Sequence, residues 1–150
     1  MKRSSKVGAA SAPRRAGGRS AKAPPTLQNL IRAARSAQKH AHAPYSEFPV
    51  GAALLTSTGK IFTGCNVENA SFGLTICAER VAVTKAVSEG YRKFRAIAVV
   101  APHKTLTPCG ACRQFLAEFG DIEIICADSR RPGNPRNFRL SQLLPEAFGL

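Results

Sequence analysis

No apolar run in the chain approaches the roughly 18–20 residues needed to cross a bilayer, and the N-terminal stretch lacks the apolar centre of a secretory signal. Both absences lead to the expectation of a soluble protein, with the cytoplasm as its compartment. Acidic residues are also scarce, nine against 22 Lys and Arg, for a net charge of +13. Residues 1–25, MKRSSKVGAASAPRRAGGRSAKAPP, contain no acid and seven of the basic residues. Dominated by Ala, Ser, Gly and Pro, this stretch has too little apolar surface to offset the entropy of ordering it, so 1–25 is expected to be a disordered basic tail. It reads as an organelle transit peptide, as a weak polyanion-binding arm, or as a solvated tail with no specific role. It has no aromatic residue on which bases could stack, so no nucleic acid partner is expected beyond weak binding by the tail. From Thr26 onward the balance is only +6.

What remains suits one domain, 26–150, with a single core, since 44% of the chain is apolar. Thr26 offers an N-cap to a helix with Leu27, Leu30, Ile31 and Ala34 on one face, ending near Ala43 ahead of Pro44. VGAALLT and KIFTGCNV flank STG and predict two strands joined by a tight turn at Gly59. CAERVAVTKAVSEG places Ala78, Val81, Ala82, Lys85 and Ala86 at helical intervals and stops at Gly90. FRAIAVVA predicts a buried strand, CGACRQFLAEF a helix, IEIICA and RNFRL two more strands, and SQLLPEAF a terminal helical turn. Only about ten residues separate the last two strands, too few for a parallel crossover, so strands four and five should be antiparallel. The expected architecture is α/β, a mixed five-stranded sheet with helices on its faces.

The five cysteines are an odd number and two of them form a C-x-x-C, which fits metal or catalytic thiols in a reducing compartment better than a disulfide framework. Cys77, Cys109 and Cys112 are each predicted in the first turn of a helix, where free amide N–H groups and the helix dipole favour thiolate. Three thiolates suit Zn²⁺ and leave its fourth position to water, the mark of a catalytic rather than a structural site. Glu79, two residues after Cys77, suits a place beside the metal, where a carboxylate can relay a proton from water to a substrate nitrogen. Three thiolates on Zn²⁺ leave the site at net −1, and Arg80 is the candidate cation to offset it. Taken alone, CGAC remains open to a redox pair or half of a zinc knuckle; the preceding CAE is what neither would need. Cys65 and Cys126 are expected to pack in strands, and His40, His42 and His103, without ligand spacing, to lie at the surface.

With PYSEFPVGAALL, GCNVENASFGLTICAERVAVTKAVSEG, PCGACRQFLAEFG and LLPEAF, the chain resembles the zinc-dependent cytidine deaminases from about Leu27 to Phe148. The likeness is to the small homotetrameric form with three cysteine ligands. It implies a three-layer α/β/α sandwich and Zn²⁺ held by Cys77, Cys109 and Cys112. It implies hydrolysis of cytidine and 2′-deoxycytidine to uridine, 2′-deoxyuridine and ammonia in pyrimidine salvage, with a zinc-activated water adding at C4 and Glu79 moving the proton to N3. Asn66 and Glu68 would hold ribose hydroxyls, Phe48 and Val50 would wall the base, and the backbone of Ala78 would meet the pyrimidine edge. Phe148 would reach the site of a neighbouring subunit, so that active sites are shared within the tetramer. Phe72 stands where many relatives have tyrosine, so a contact through a phenolic hydroxyl is absent here. Another aminopyrimidine nucleoside as substrate, cytosine editing in RNA or DNA, and a structural-zinc nucleic-acid-binding module are the alternatives.

Overall fold

The structure, a computed structural model, describes residues 25–104, 106–131 and 133–149, so the basic tail other than Pro25 lies outside it. In chain order the elements are α1 (Leu27–Gln38), β1 (Gly51–Thr56), β2 (Ile61–Cys65), a 3₁₀ turn at Phe72–Leu74, α2 (Ala78–Ser88), β3 (Phe94–Ala101), α3 (Gly110–Ala117), β4 (Glu123–Asp128), β5 (Arg136–Arg139) and α4 (Leu140–Leu143). The strands form one mixed sheet in the order β2-β1-β3-β4-β5. β3 and β4 run parallel, while β1 pairs antiparallel with both β2 and β3. β4 and β5 are antiparallel, as the short connection required.

Alternation along the strands divides the core into two layers. Ala53, Leu55, Ala96, Ala98, Val100, Ile125 and Ala127 meet Leu30, Ile31 and Ala34 of α1. Ala52, Leu54, Ile97, Val99, Ile124 and Cys126 point the other way, against α2 and against Leu116 of α3. Helices on both faces make the α/β/α sandwich. Gly64 of β2 faces α2 so closely that a Cβ there would run into the Ala78 carbonyl and lie 2.6 Å from Ala82 N. The start of α2 is thus seated directly on the sheet.

Local signals set the ends of the elements. Thr26 Oγ1 accepts from Asn29 N at 3.3 Å and caps α1. The turn between β1 and β2 uses Gly59 at φ +89°, and Gly90, also at +89°, follows α2. α1 stops at Gln38, not near Ala43. Its last turn tightens to Lys39 N–Ser36 O, His40 N–Ala37 O and Ala41 N–Gln38 O bonds. His42 then gives its N–H to Asn66 O and its carbonyl to Glu68 N, so the backbone of the expected last turn is claimed by a bridge to the segment after β2. On α2 the buried stripe is Ala78, Glu79, Ala82, Val83 and Ala86, with Val83 in place of the expected Val81 and Lys85. Lys85 reaches out to bond Thr63 O at 2.6 Å. The terminal turn begins one residue early, at Leu140. Among the described residues, no helix is long and apolar enough to cross a membrane.

Candidate active site

Cys77 and Cys109 are the N-cap residues of α2 and α3, extended at φ −69° and −65°, and neither side chain makes a capping bond. Their sulfurs are therefore left over at two helix N-termini, where unpaired N–H groups favour negative charge. Cys112, buried in the first turn of α3, completes the group: the three Sγ atoms all lie within 4.8 Å of one another. Cys77 and Cys109 Sγ are 3.9 Å apart. Thiolates about 2.3 Å from one tetrahedral zinc stand roughly 3.8 Å apart, so the spacing fits that ion. No other His, Cys, Asp or Glu joins this group among the described residues, which leaves one position of a four-coordinate ion open.

The charges around the sulfurs agree with this fit. The Cys77 thiol is pulled down to about 5, first by a hydrogen bond from Cys112 and then by Arg80, against the opposing cost of burial. Cys112, donating to that thiolate and buried, is pushed far above the ordinary thiol range. Arg80 Nη2 bonds Thr75 O at 3.0 Å and lies 3.8 Å from Cys77 Sγ. Its Nε is buried without a partner. A guanidinium held beside three sulfurs with a nitrogen unspent suits a cluster that carries excess negative charge.

Glu79 follows on the first turn of α2 and is only 5% exposed. Burial, with the neighbouring Cys77 thiolate adding to it, lifts its carboxyl to about 7. No salt bridge holds it among the described residues, so it can both take and give a proton near neutrality. It lines a cavity of about 200 Å³ together with Cys77, Ala78 and Cys109. Phe48, Val50 and Leu106 supply the apolar wall, and Asn66, Thr75 and Thr107 the polar one.

Asn66 and Glu68 lie just past the end of β2, not within a strand, with exposed Val67 between them. Asn66 accepts from Val50 N at 2.8 Å and donates to Phe48 O at 3.0 Å, so its amide fixes the wall that carries Phe48. Glu68 lies in an adjoining cavity of about 400 Å³, lined also by Tyr45, Ser46, Phe72 and Thr75, the last shared by both cavities. Its carboxylate accepts from Tyr45 N at 2.9 Å, Ser46 N at 3.2 Å and the Ser46 hydroxyl, which hold it below the usual carboxylate range. The backbone between these holds is unusual: Glu47 takes φ +53°, a left-handed conformation that non-glycine residues seldom adopt.

Phe72 is 73% exposed, with its ring 5.7 Å from that of Tyr45. Phe148 is equally exposed and lines neither cavity. The three histidines are exposed, but the His103 ring lies edge-on to Phe48 at 6.4 Å. Cys126 is buried, which pushes its thiol to about 12, and Cys65 donates to His40 O at 3.3 Å. Thr75, Leu106 and Thr107 escaped the sequence reading, and so did Ser46. Their only signal is position, close to PYS and just ahead of CAE and PCGAC.

Residues 24–128 match the family described as the cytidine and deoxycytidylate deaminase zinc-binding region. A protein of Dictyostelium discoideum named "Probable cytidine deaminase" is 62% identical over 126 residues, covering 81% of this chain and 83% of that one. The crystal structure of cytidine deaminase from Burkholderia pseudomallei superposes with a TM-score of 0.77 at 50% identity, over 82% of this chain and 99% of that one. That of cytidine deaminase from Mycobacterium tuberculosis gives 0.69 at 45%, over 84% and 100%. The thiol cluster beside a buried glutamate and the matches in sequence and fold agree: the chain belongs to the cytidine and deoxycytidylate deaminase zinc-binding family.

Proposed function

We propose that the protein hydrolyses the exocyclic amine of cytidine and 2′-deoxycytidine, yielding uridine or 2′-deoxyuridine and ammonia. The observation that carries this reading is the buried Glu79 carboxyl, which lines one cavity with Cys77 and Cys109, two of the three convergent thiols. Cys77, Cys109 and Cys112 would hold Zn²⁺, which when bound would supply the Lewis acidity that lowers the pKa of water toward neutrality. Glu79 accepts a proton from the attacking water and delivers it to N3 of the ring, and a further transfer lets the amino group leave as ammonia. A carboxyl lifted to about 7 is matched to both halves of that relay. Arg80 offsets the thiolate charge, so that less of it opposes loss of a proton from water.

Phe48, Val50 and Leu106 form an apolar slot against which a flat base can pack. The Ala78 backbone, at the start of α2, meets the pyrimidine edge. Asn66 and Glu68 hold the ribose. Glu68 spends one acceptor direction of Oε1 and two of Oε2 on Tyr45 and Ser46, which leaves capacity on Oε1 for a sugar hydroxyl. Phe72, against Tyr45, caps this side through its ring alone.

The working form is a homotetramer in which Phe148 of one subunit completes the cavity of another. Tyr45, Val67, Phe72, Leu74, Ile76 and Phe148 support this, as large apolar side chains exposed on one protomer. The activity belongs to pyrimidine salvage in the cytoplasm. Loss of cytidine absorbance with equimolar ammonia tests the reading, in a panel with 2′-deoxycytidine, another aminopyrimidine nucleoside and a cytosine-containing oligonucleotide. Turnover of the two cytosine nucleosides is expected. Turnover of the oligonucleotide alone would replace a salvage enzyme by an editor.

A further inference from the structure

Two hydrogen bonds fix the backbone of Phe148. Gln114 Nε2 donates to the Phe148 carbonyl at 2.8 Å, and the Phe148 N–H donates to Gln114 Oε1 at 3.0 Å. One side-chain amide is spent on both backbone groups of a single residue, as a strand neighbour would spend its own. Yet the Phe148 ring is 73% exposed. Ordering a residue costs conformational entropy, and a ring left in water recovers none of it through burial.

The other end of this segment is fastened from the same helix. Arg113 Nη1 donates to the Leu143 carbonyl at 2.8 Å, while Nε reaches Pro108 O at 2.7 Å and Nη2 reaches Thr107 Oγ1 at 3.0 Å. Two consecutive residues of α3, directly after Cys112, therefore clamp segment 143–148 at both ends. The helix that holds two of the thiols also sets the position of the exposed ring.

We propose that Gln114 is a positioning residue, which presents the Phe148 ring to the cavity of a second copy of this chain. This rests on the reading above that Phe148 completes a neighbour's cavity. The role needs an amide, because only a side chain that donates and accepts together can grip both groups of Phe148. Glutamate at this position keeps the bond from Phe148 N–H but sets a carboxylate oxygen against the Phe148 carbonyl.

The test compares zinc-loaded wild type with Gln114→Ala, Gln114→Glu, Phe148→Ala and the double variant Gln114→Ala/Phe148→Ala, with zinc content measured on each. Phe148→Ala is expected to raise KM for cytidine about tenfold with little change in kcat, the size of one lost aromatic contact. The Gln114 variants should raise KM in the same way, and the double variant should be no worse than Phe148→Ala alone. A second readout is independent of turnover. The chain has no tryptophan, so Phe148→Trp introduces a sole indole, and adding Gln114→Ala should lower its fluorescence anisotropy. An unchanged KM in Phe148→Ala overturns the reading of Phe148 and the proposal with it. A raised KM there, with Gln114 variants at wild-type KM or with additive effects in the double variant, overturns the role of Gln114 alone.

Discussion

Arg80 sits half-buried beside the thiol cluster. A half-buried arginine usually spends its donors on carboxylates or carbonyls; this one bonds Thr75 O, approaches Cys77 Sγ and keeps a buried Nε unspent. Three thiolates bring more negative charge than a divalent ion cancels, and the helix N-termini supply only partial positive charge. Arg80→Ala is therefore expected to weaken zinc binding by about 10- to 100-fold, as loss of other hydrogen-bond partners of metal ligands does. Competition with a chromogenic chelator measures this directly. Unaltered zinc affinity with full turnover would assign the whole task to the helix dipoles. That the thiols, Glu79 and Arg80 come together was legible in the sequence, because CAER and PCGAC each lie at a helix start. Gln114 and Arg113 could not, since their partners lie some thirty residues away along the chain.

At the scale of elements, the site depends on α2 lying flat against β2, and Gly64 makes that approach possible. In Gly64→Ala the new methyl would meet the Ala78 carbonyl and the Val81 side chain, 2.9 Å away, at the helix start that carries Cys77 and Glu79. The expected cost is about 1–3 kcal/mol of overpacking. Urea unfolding checks it, with parallel loss of zinc expected because the displaced helix start carries a ligand. Strand periodicity and the short β4–β5 connection made the sheet legible in advance, including its antiparallel last pair. Helix ends were less legible. α1 stops where His42 is recruited by the segment after β2, and no local pattern in AQKHAHAP announces a partner 25 residues downstream. On α2, the stripe shifts to Val83, one turn after Glu79, whose inward turn to the cavity apolar spacing does not record.

The molecule as a whole is organised so that two helices on one sheet face meet at their N-termini around three thiols suited to a metal. Those ends bring the three sulfurs within 4.8 Å of one another, where negative charge on one opposes ionisation of the next. Zinc binds the folded arrangement, so it stabilises by mass action: about 4 kcal/mol at a thousandfold excess over its Kd. For a domain of this size that corresponds to a melting temperature roughly 8–16 °C higher than after chelation. Scanning calorimetry with and without chelator reads the difference, and re-addition of zinc should restore it.

In the proposed reaction Glu79 moves the proton while the thiols hold the metal. Glu79→Gln keeps the shape of the side chain and removes its basicity, so zinc content and cytidine turnover measured on one sample of this variant separate the two roles. The expected result is wild-type zinc stoichiometry with kcat reduced by about a hundred- to ten-thousand-fold. Full zinc with undiminished conversion of cytidine to uridine and ammonia would contradict it.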